Sequence, residues 1–178
     1  MKKVAIIVGH SDKSRGASNA KTGETEWNYN NNIARKIHGK LLAKKVEPVI
    51  IYRTNGYSAL PYEINRQNPS LIISLHCNAF DSSASGCEML YYHSSKASKS
   101  FATILQDKVN KVLGNKNRGI KPKHSEDRGG HILKSTNAPC VITEPFFIDN
   151  DSELKNAEEK EAALVNAYVE AIVEAVRV

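Results

Sequence analysis

The chain has 178 residues, enough for one domain with a sizeable core, and its 40 % hydrophobic to 25 % charged balance is that of an ordinary globular protein. No apolar run reaches the roughly 18 residues of a membrane-spanning helix, and three cysteines without a CxxC spacing argue against a disulfide scaffold or a thiolate zinc site. The net charge of +6 implies attraction to a polyanion, but no RNP-like motif or tight Lys/Arg tract supports nucleic acid, and the basic stretch Lys96–Lys134 is diluted by acids and reads as solvated surface.

Strand-like and helix-like patterns alternate, which predicts an α/β sheet with helices packed on it. Met1-Lys2-Lys3 and five apolar residues imitate a signal peptide, but the apolar run is shorter than the usual ~7–15 residues and no cleavage site follows, so Lys3–Val8 is read as the first strand of the mature protein. A polar loop runs from Ser11 to about Thr25, an expected helix N-cap. From there Trp27, Asn30, Ile33, Ala34, Ile37, Leu41 and Leu42 recur at helical spacing. Pro48–Tyr52 reads as a second strand, Pro61–Arg66 as a turn-rich segment, and Leu71–Leu75 as a third strand ending at His76.

Gly86–Tyr92 reads as a fourth strand, and Phe101, Ile104, Leu105, Val109, Val112 and Leu113 mark a second amphipathic helix. Asn115–Gly130 is polar and Gly/Pro-punctuated and is expected to be a surface loop. His131-Ile132-Leu133 is expected to be a short strand, Cys140–Phe147 a longer one, and Glu153–Val176 a single closing helix. No repeat or linker interrupts the pattern, so residues 1–178 read as one domain.

Three of the apolar runs end in reactive side chains: Val8-Gly9-His10, Leu75-His76 and Thr143-Glu144. The carboxyl edge of an open α/β sheet is where ligands bind, and imidazole is the commonest metal ligand. A lone histidine is ordinarily a satisfied core or surface residue; the joint placement is what points to a hydrolytic metal site. A catalytic zinc site usually has three protein ligands and an open position, and two His with one Glu is an established set. Two acids compete for the third place. Glu26 would lie in the first turn of a helix capped by Thr25, aimed by a rigid element, and is favoured over Glu24 in the loop; the plain alternative for either carboxylate is that it only complements the helix dipole.

Glu144 emerges from a buried run, where a carboxylate is unfavourable unless it is paired or at work. It is the candidate general base, a structural salt bridge being the plain alternative. His38 and His124 look solvent-facing, whereas His93 and His131 are candidates to line the cleft. The three cysteines read as reduced and buried. HExxH, GxSxG, P-loop and GxGxxG motifs are absent, so nucleophilic serine or cysteine chemistry has no local support.

Taken in order, these residues resemble the amidase-3 family of zinc-dependent N-acetylmuramoyl-L-alanine amidases nearly end to end. Val8-Gly9-His10 looks like the family's first histidine motif. Glu26-Trp27-Asn28-Tyr29-Asn30 is similar to its glutamate helix, which strengthens Glu26 over Glu24. Ser74-Leu75-His76-Cys77-Asn78-Ala79 resembles its S-x-H-x-N-A segment, Gly86-Cys87-Glu88 the strand that follows, Arg118-Gly119 a later Arg-Gly motif, and Thr143-Glu144-Pro145-Phe146-Phe147 the catalytic glutamate segment. The resemblance implies a mixed, mostly parallel sheet of about six strands flanked by helices, a phosphorylase/hydrolase-like and zinc-exopeptidase-like fold. It implies one Zn²⁺ held by His10, Glu26 and His76, Glu144 as catalytic base, and Glu88 and Arg118 as substrate contacts. The implied substrate is peptidoglycan, with attraction to anionic wall polymers and no nucleic-acid or membrane partner. The chain is similar to catalytic domains of endolysins from phages of Gram-positive bacteria. Without a signal peptide or a wall-binding domain, such an enzyme is expected in the host cytoplasm until a holin releases it to the wall. Alternative readings are a zinc peptidase cutting within the stem peptide and a bacterial autolysin or cell-separation amidase.

Overall fold

The computed structural model describes residues 1–177, and among these it contains six strands and six α-helices. The sheet has the order β2-β1-β3-β6-β4-β5, with β1 at Lys2–Val8, β2 at Val46–Tyr52, β3 at Leu71–Leu75, β4 at Cys87–Tyr92, β5 at Asn117–Lys123 and β6 at Cys140–Glu144. Strands β2, β1, β3 and β6 are mutually parallel; β4 runs antiparallel to β6, and β5 parallel to β4. The reversal brings the start of β4 to the edge where β1, β3 and β6 end. The expected mixed, mostly parallel six-stranded sheet is therefore what forms.

The unbroken apolar runs of the central strands follow from burial on both faces. Val4, Ile6 and Val8 of β1 join a core built with helices α1 (Glu26–Leu41), α3 (Lys96–Leu113), α5 (Asp151–Glu159) and α6 (Glu161–Ala175). Ala5 and Ile7 point the other way, into a smaller core with α2 (Leu60–Arg66) and α4 (Gly130–Ser135). No helix among the described residues is long and apolar enough to cross a membrane.

Several elements depart from the sequence reading. Asn117–Lys123, expected to be loop, is the edge strand β5. An edge strand has a free side, so it tolerates the Pro122 and lysines that disguise it, and none of its residues is fully buried. His131-Ile132-Leu133, expected as strand, lies in helix α4. Three apolar residues are too few to reveal a period. Pro61–Arg66 is helical, with Pro61 in the first turn, where its missing N–H leaves no gap. Strand β6 stops at Glu144, because Pro145 cannot donate to the ladder. The closing helix is two helices, broken at Lys160, whose ammonium donates to the Leu113 carbonyl at 3.0 Å.

Candidate metal centre

The polar loop after β1 is folded back to complete the sheet edge. Buried Asn19 pins it, accepting from the Lys21 and Thr22 amides and donating to the Ile148 carbonyl at 3.1 Å. Thr25 caps α1 as expected, its hydroxyl accepting from the Asn28 amide at 3.2 Å. Glu26 thus sits in the first helical turn and is only 1 % exposed.

His10, Glu26 and His76 offer ligand atoms that all lie within 4.8 Å of one another. His10 Nε2 is 3.0 Å from Glu26 Oε2, and His76 Nδ1 is 3.4 Å from Oε1. The backbone holds the carboxylate from behind: the Ala17 amide donates to Oε2 at 2.9 Å and the Cys77 amide to Oε1 at 3.1 Å. Glu24 lies outside the group and accepts from the amide of Thr25. The strand-end placement of both histidines is as the sequence indicates. His10 turns over the edge with φ of +65°, a left-handed conformation that costs a β-carbon residue on the order of 1 kcal/mol or more.

Two glycines make room for this cluster. A Cβ on Gly9 would stand 2.5 Å from the Leu75 carbonyl and 2.7 Å from the His76 ring, so the two histidine-bearing strand ends approach closely only because position 9 has none. Gly16, at φ +78°, would place a Cβ 2.6 Å from both Glu26 Oε2 and the His10 ring.

The electrostatics of the carboxylates follow from their partners. Burial disfavours the charge on Glu26, but its contacts with His10 and His76 outweigh that and hold its pKa far below the usual range. Burial lowers the pKa of His76, with Glu26 opposing. Glu144, 6 % exposed, has an Oε2 with no hydrogen-bond partner among the described residues. Burial pushes its pKa well up, the charge of Glu26 adds to this, and Arg128 opposes it.

His10, His76 and Glu144 line one cleft of about 440 Å³, which also takes in Glu88 and Asn78 and leaves Glu26 behind the histidines. Glu88 pairs directly opposite Glu144 in the antiparallel register, which puts both side chains on one face. Its carboxylate accepts from Asn78 Nδ2 at 3.0 Å and from Arg118 Nε at 2.8 Å. Burial opposes the charge on Glu88, yet those two partners lower its pKa overall. Arg118 itself does not line the cleft; its guanidinium lies over the Phe147 ring, 5.3 Å from the centroid, and steadies Glu88. His131 lines the cleft through α4, whereas His93 is stacked on His124 away from it. Cys77, Cys87 and Cys140 are free and buried, and burial pushes the last two up to about 12.

Sequence reasoning missed two contributors. Glu153 on α5, 5 % exposed, accepts from the Gly86 amide at 2.9 Å and the Phe147 amide at 2.8 Å, tying the segment after Glu144 to the start of β4. Its signal was hidden in an acid-rich helix start. Arg128 lines the cleft from a stretch read as solvated surface, where the Gly129-Gly130 pair was the trace of a tight turn.

Comparison with known proteins finds relatives named as N-acetylmuramoyl-L-alanine amidases and as an endolysin. The chain is 30 % identical over 169 residues to N-acetylmuramoyl-L-alanine amidase LytC of Bacillus subtilis (strain 168), covering 90 % of this chain and 33 % of that protein. It is 30 % identical over 162 residues to the endolysin of Bacillus phage SPP1, covering 85 % of this chain and 57 % of that one. It therefore spans a third to a little over half of these curated relatives. The catalytic domain of CwlV, an N-acetylmuramoyl-L-alanine amidase from Bacillus (Paenibacillus) polymyxa var. colistinus, superimposes with a TM-score of 0.87 at 24 % identity, over 100 % of this chain and 99 % of that domain, and shares the fold. The amidase-3 family model, described as N-acetylmuramoyl-L-alanine amidase, matches residues 4–177, and the chain belongs to that family.

Proposed function

We propose that this chain is a zinc-dependent amidase that hydrolyses the bond between the lactyl group of N-acetylmuramic acid and L-alanine in peptidoglycan. The observation that carries the reading is the convergence of His10, Glu26 and His76 on a cleft shared with a buried Glu144, one of whose oxygens has no partner among the described residues, in a family of N-acetylmuramoyl-L-alanine amidases. The donor set fits the metal. Two imidazoles and one carboxylate are an established zinc set, and the three residues each offer a ligand atom within 4.8 Å of the others. His10 Nε2 also lacks an aligned hydrogen bond despite its nearness to Glu26, the arrangement of two groups facing a common third.

When bound by His10, Glu26 and His76, zinc supplies Lewis acidity that polarises a carbonyl and makes water a competent nucleophile near neutral pH. The chain's own residues do the rest. Glu144 takes a proton from the attacking water and returns one to the alanine nitrogen as the C–N bond breaks, leaving a carboxylate and a free amine. Its raised proton affinity suits the second transfer. Glu88, fixed by Asn78 and Arg118, faces the same space and is placed to hold the peptide stem.

The test is product analysis of digested cell walls: new L-alanine amino termini are expected, without new stem-peptide fragments. Cleavage inside the stem would overturn the reading. We propose further that the chain serves a phage as an endolysin, which the likeness to the SPP1 endolysin supports. Expression in a Gram-positive host is then expected to cause lysis only alongside a holin, whereas lysis without one favours an exported autolysin. The net charge of +6 supports attraction to anionic wall polymers.

A further inference from the structure

The segment between β5 and α4 is a braced turn. The His124 amide donates to Asp127 Oδ2 at 2.7 Å, and the Gly130 amide donates to the Asp127 carbonyl at 2.8 Å. A Cβ on Gly130 would meet the His124 carbonyl at 2.0 Å, so the turn closes this tightly only with glycine there. Its first residue is anchored by the stacking of His124 on His93, with ring centroids 4.1 Å apart. The two acids of the turn are engaged locally, Asp127 with that amide and Glu126 with the Ser125 hydroxyl. Arg128 is the exception. Its exposed guanidinium lines the cleft and makes no ion pair or hydrogen bond among the described residues. Lys123, at the end of β5, also lines the cleft and is likewise without an ion pair among the described residues.

An unpaired guanidinium on a rigid support matches the planar fork of a carboxylate. The amide that the proposed reaction cleaves consumes the lactyl carboxyl of the sugar. Free carboxylates next to that bond therefore belong to the peptide side of the substrate. We propose that Arg128, assisted by Lys123, forms a subsite for a free carboxylate on the stem residue that follows alanine, and so selects acidic stems over amidated ones. This rests on the amidase reading above.

The experiment compares two synthetic N-acetylmuramoyl-L-alanyl peptides, identical except that the residue after alanine carries a carboxylate or a carboxamide, with the zinc-loaded full chain. The wild type is expected to favour the carboxylate in kcat/KM by roughly 10- to 100-fold, the range of a charge-assisted hydrogen-bonded contact. Arg128→Gln is expected to bring the ratio near one, and Arg128→Lys to keep part of it. Raised salt is expected to shrink the wild-type preference, since the site is exposed. A wild-type ratio near one, or the same ratio in Arg128→Gln, overturns the subsite while leaving the amidase reading intact. Cleavage of neither peptide by the wild type counts against both. Because Arg128 has no ion pair or hydrogen bond among the described residues, its variants are expected to melt with the wild type, which separates a lost contact from a lost structure.

Discussion

Glu26, behind the histidines that line the cleft, and Glu144, in the cleft wall, are almost equally buried, at 1 % and 6 % exposure, yet the fold treats them in opposite ways. At the β1–β3 end, Glu26 is surrounded by two backbone amides and two imidazoles and is kept ionised. At the β6–β4 end, Glu144 has an oxygen with no partner among the described residues, and burial pushes its pKa up. Burial alone therefore predicts neither charge state; the partners decide. The contrast is a division of labour: one end holds charge to attract a cation, and the other has a raised proton affinity suited to proton exchange.

The strongest way to break this comparison is to exchange the consequences. His76→Ala is expected to abolish both metal binding and wall hydrolysis, whereas Glu144→Gln is expected to lower kcat by roughly 10³-fold or more with the metal content unchanged. Elemental analysis beside a turbidity assay reads both. Metal loss in Glu144→Gln would merge the two ends into one.

A second test uses stability in chelator. Glu26 has a depressed pKa, so its contribution is present above its ordinary pKa of 4.5 and fades as pH falls further. Glu144 has a raised pKa, so its penalty is absent below about 4.5 and grows as pH rises above it. At pH 7, Glu26→Gln is expected to destabilise by about 2 kcal/mol and Glu144→Gln to stabilise by about 1 kcal/mol, with both differences shrinking at pH 4. Denaturant melts at the two pH values check the signs, and equal signs would refute the contrast.

The smallest effect sharpens the β4 side. Arg118→Ala removes the support of Glu88 without touching the cleft wall, so a rise in KM of a few-fold with kcat nearly kept is expected in kinetics on soluble muropeptides. A large loss of kcat instead would place Arg118 in the chemistry.

What was legible in the sequence was what strand burial writes plainly. Runs such as Val4–Val8 and Leu71–Leu75 are apolar on both faces, and each hands over to a polar group where the sheet ends. Glu26 was favoured over Glu24 because a helix cap has a local signature in Thr25. Edge strand β5 was illegible because an edge with few buried side chains keeps a loop-like composition. Helix α4 was illegible because its apolar stretch is shorter than one period. Arg128 was missed because its significance lies in the ion pairs it does not make, and only coordinates show those.

The way Glu26 is gripped has an evolutionary reading. The two donors that fix its oxygens are main-chain amides, of Ala17 and Cys77, which every residue but proline carries. The amide at position 17 survives small side-chain changes that still pack against the core, while Gly16, whose missing Cβ is the space that Glu26 and His10 occupy, tolerates none. A random library over residues 15–18 should accordingly recover active clones that keep small residues at 17, exclude proline there, and return glycine at 16.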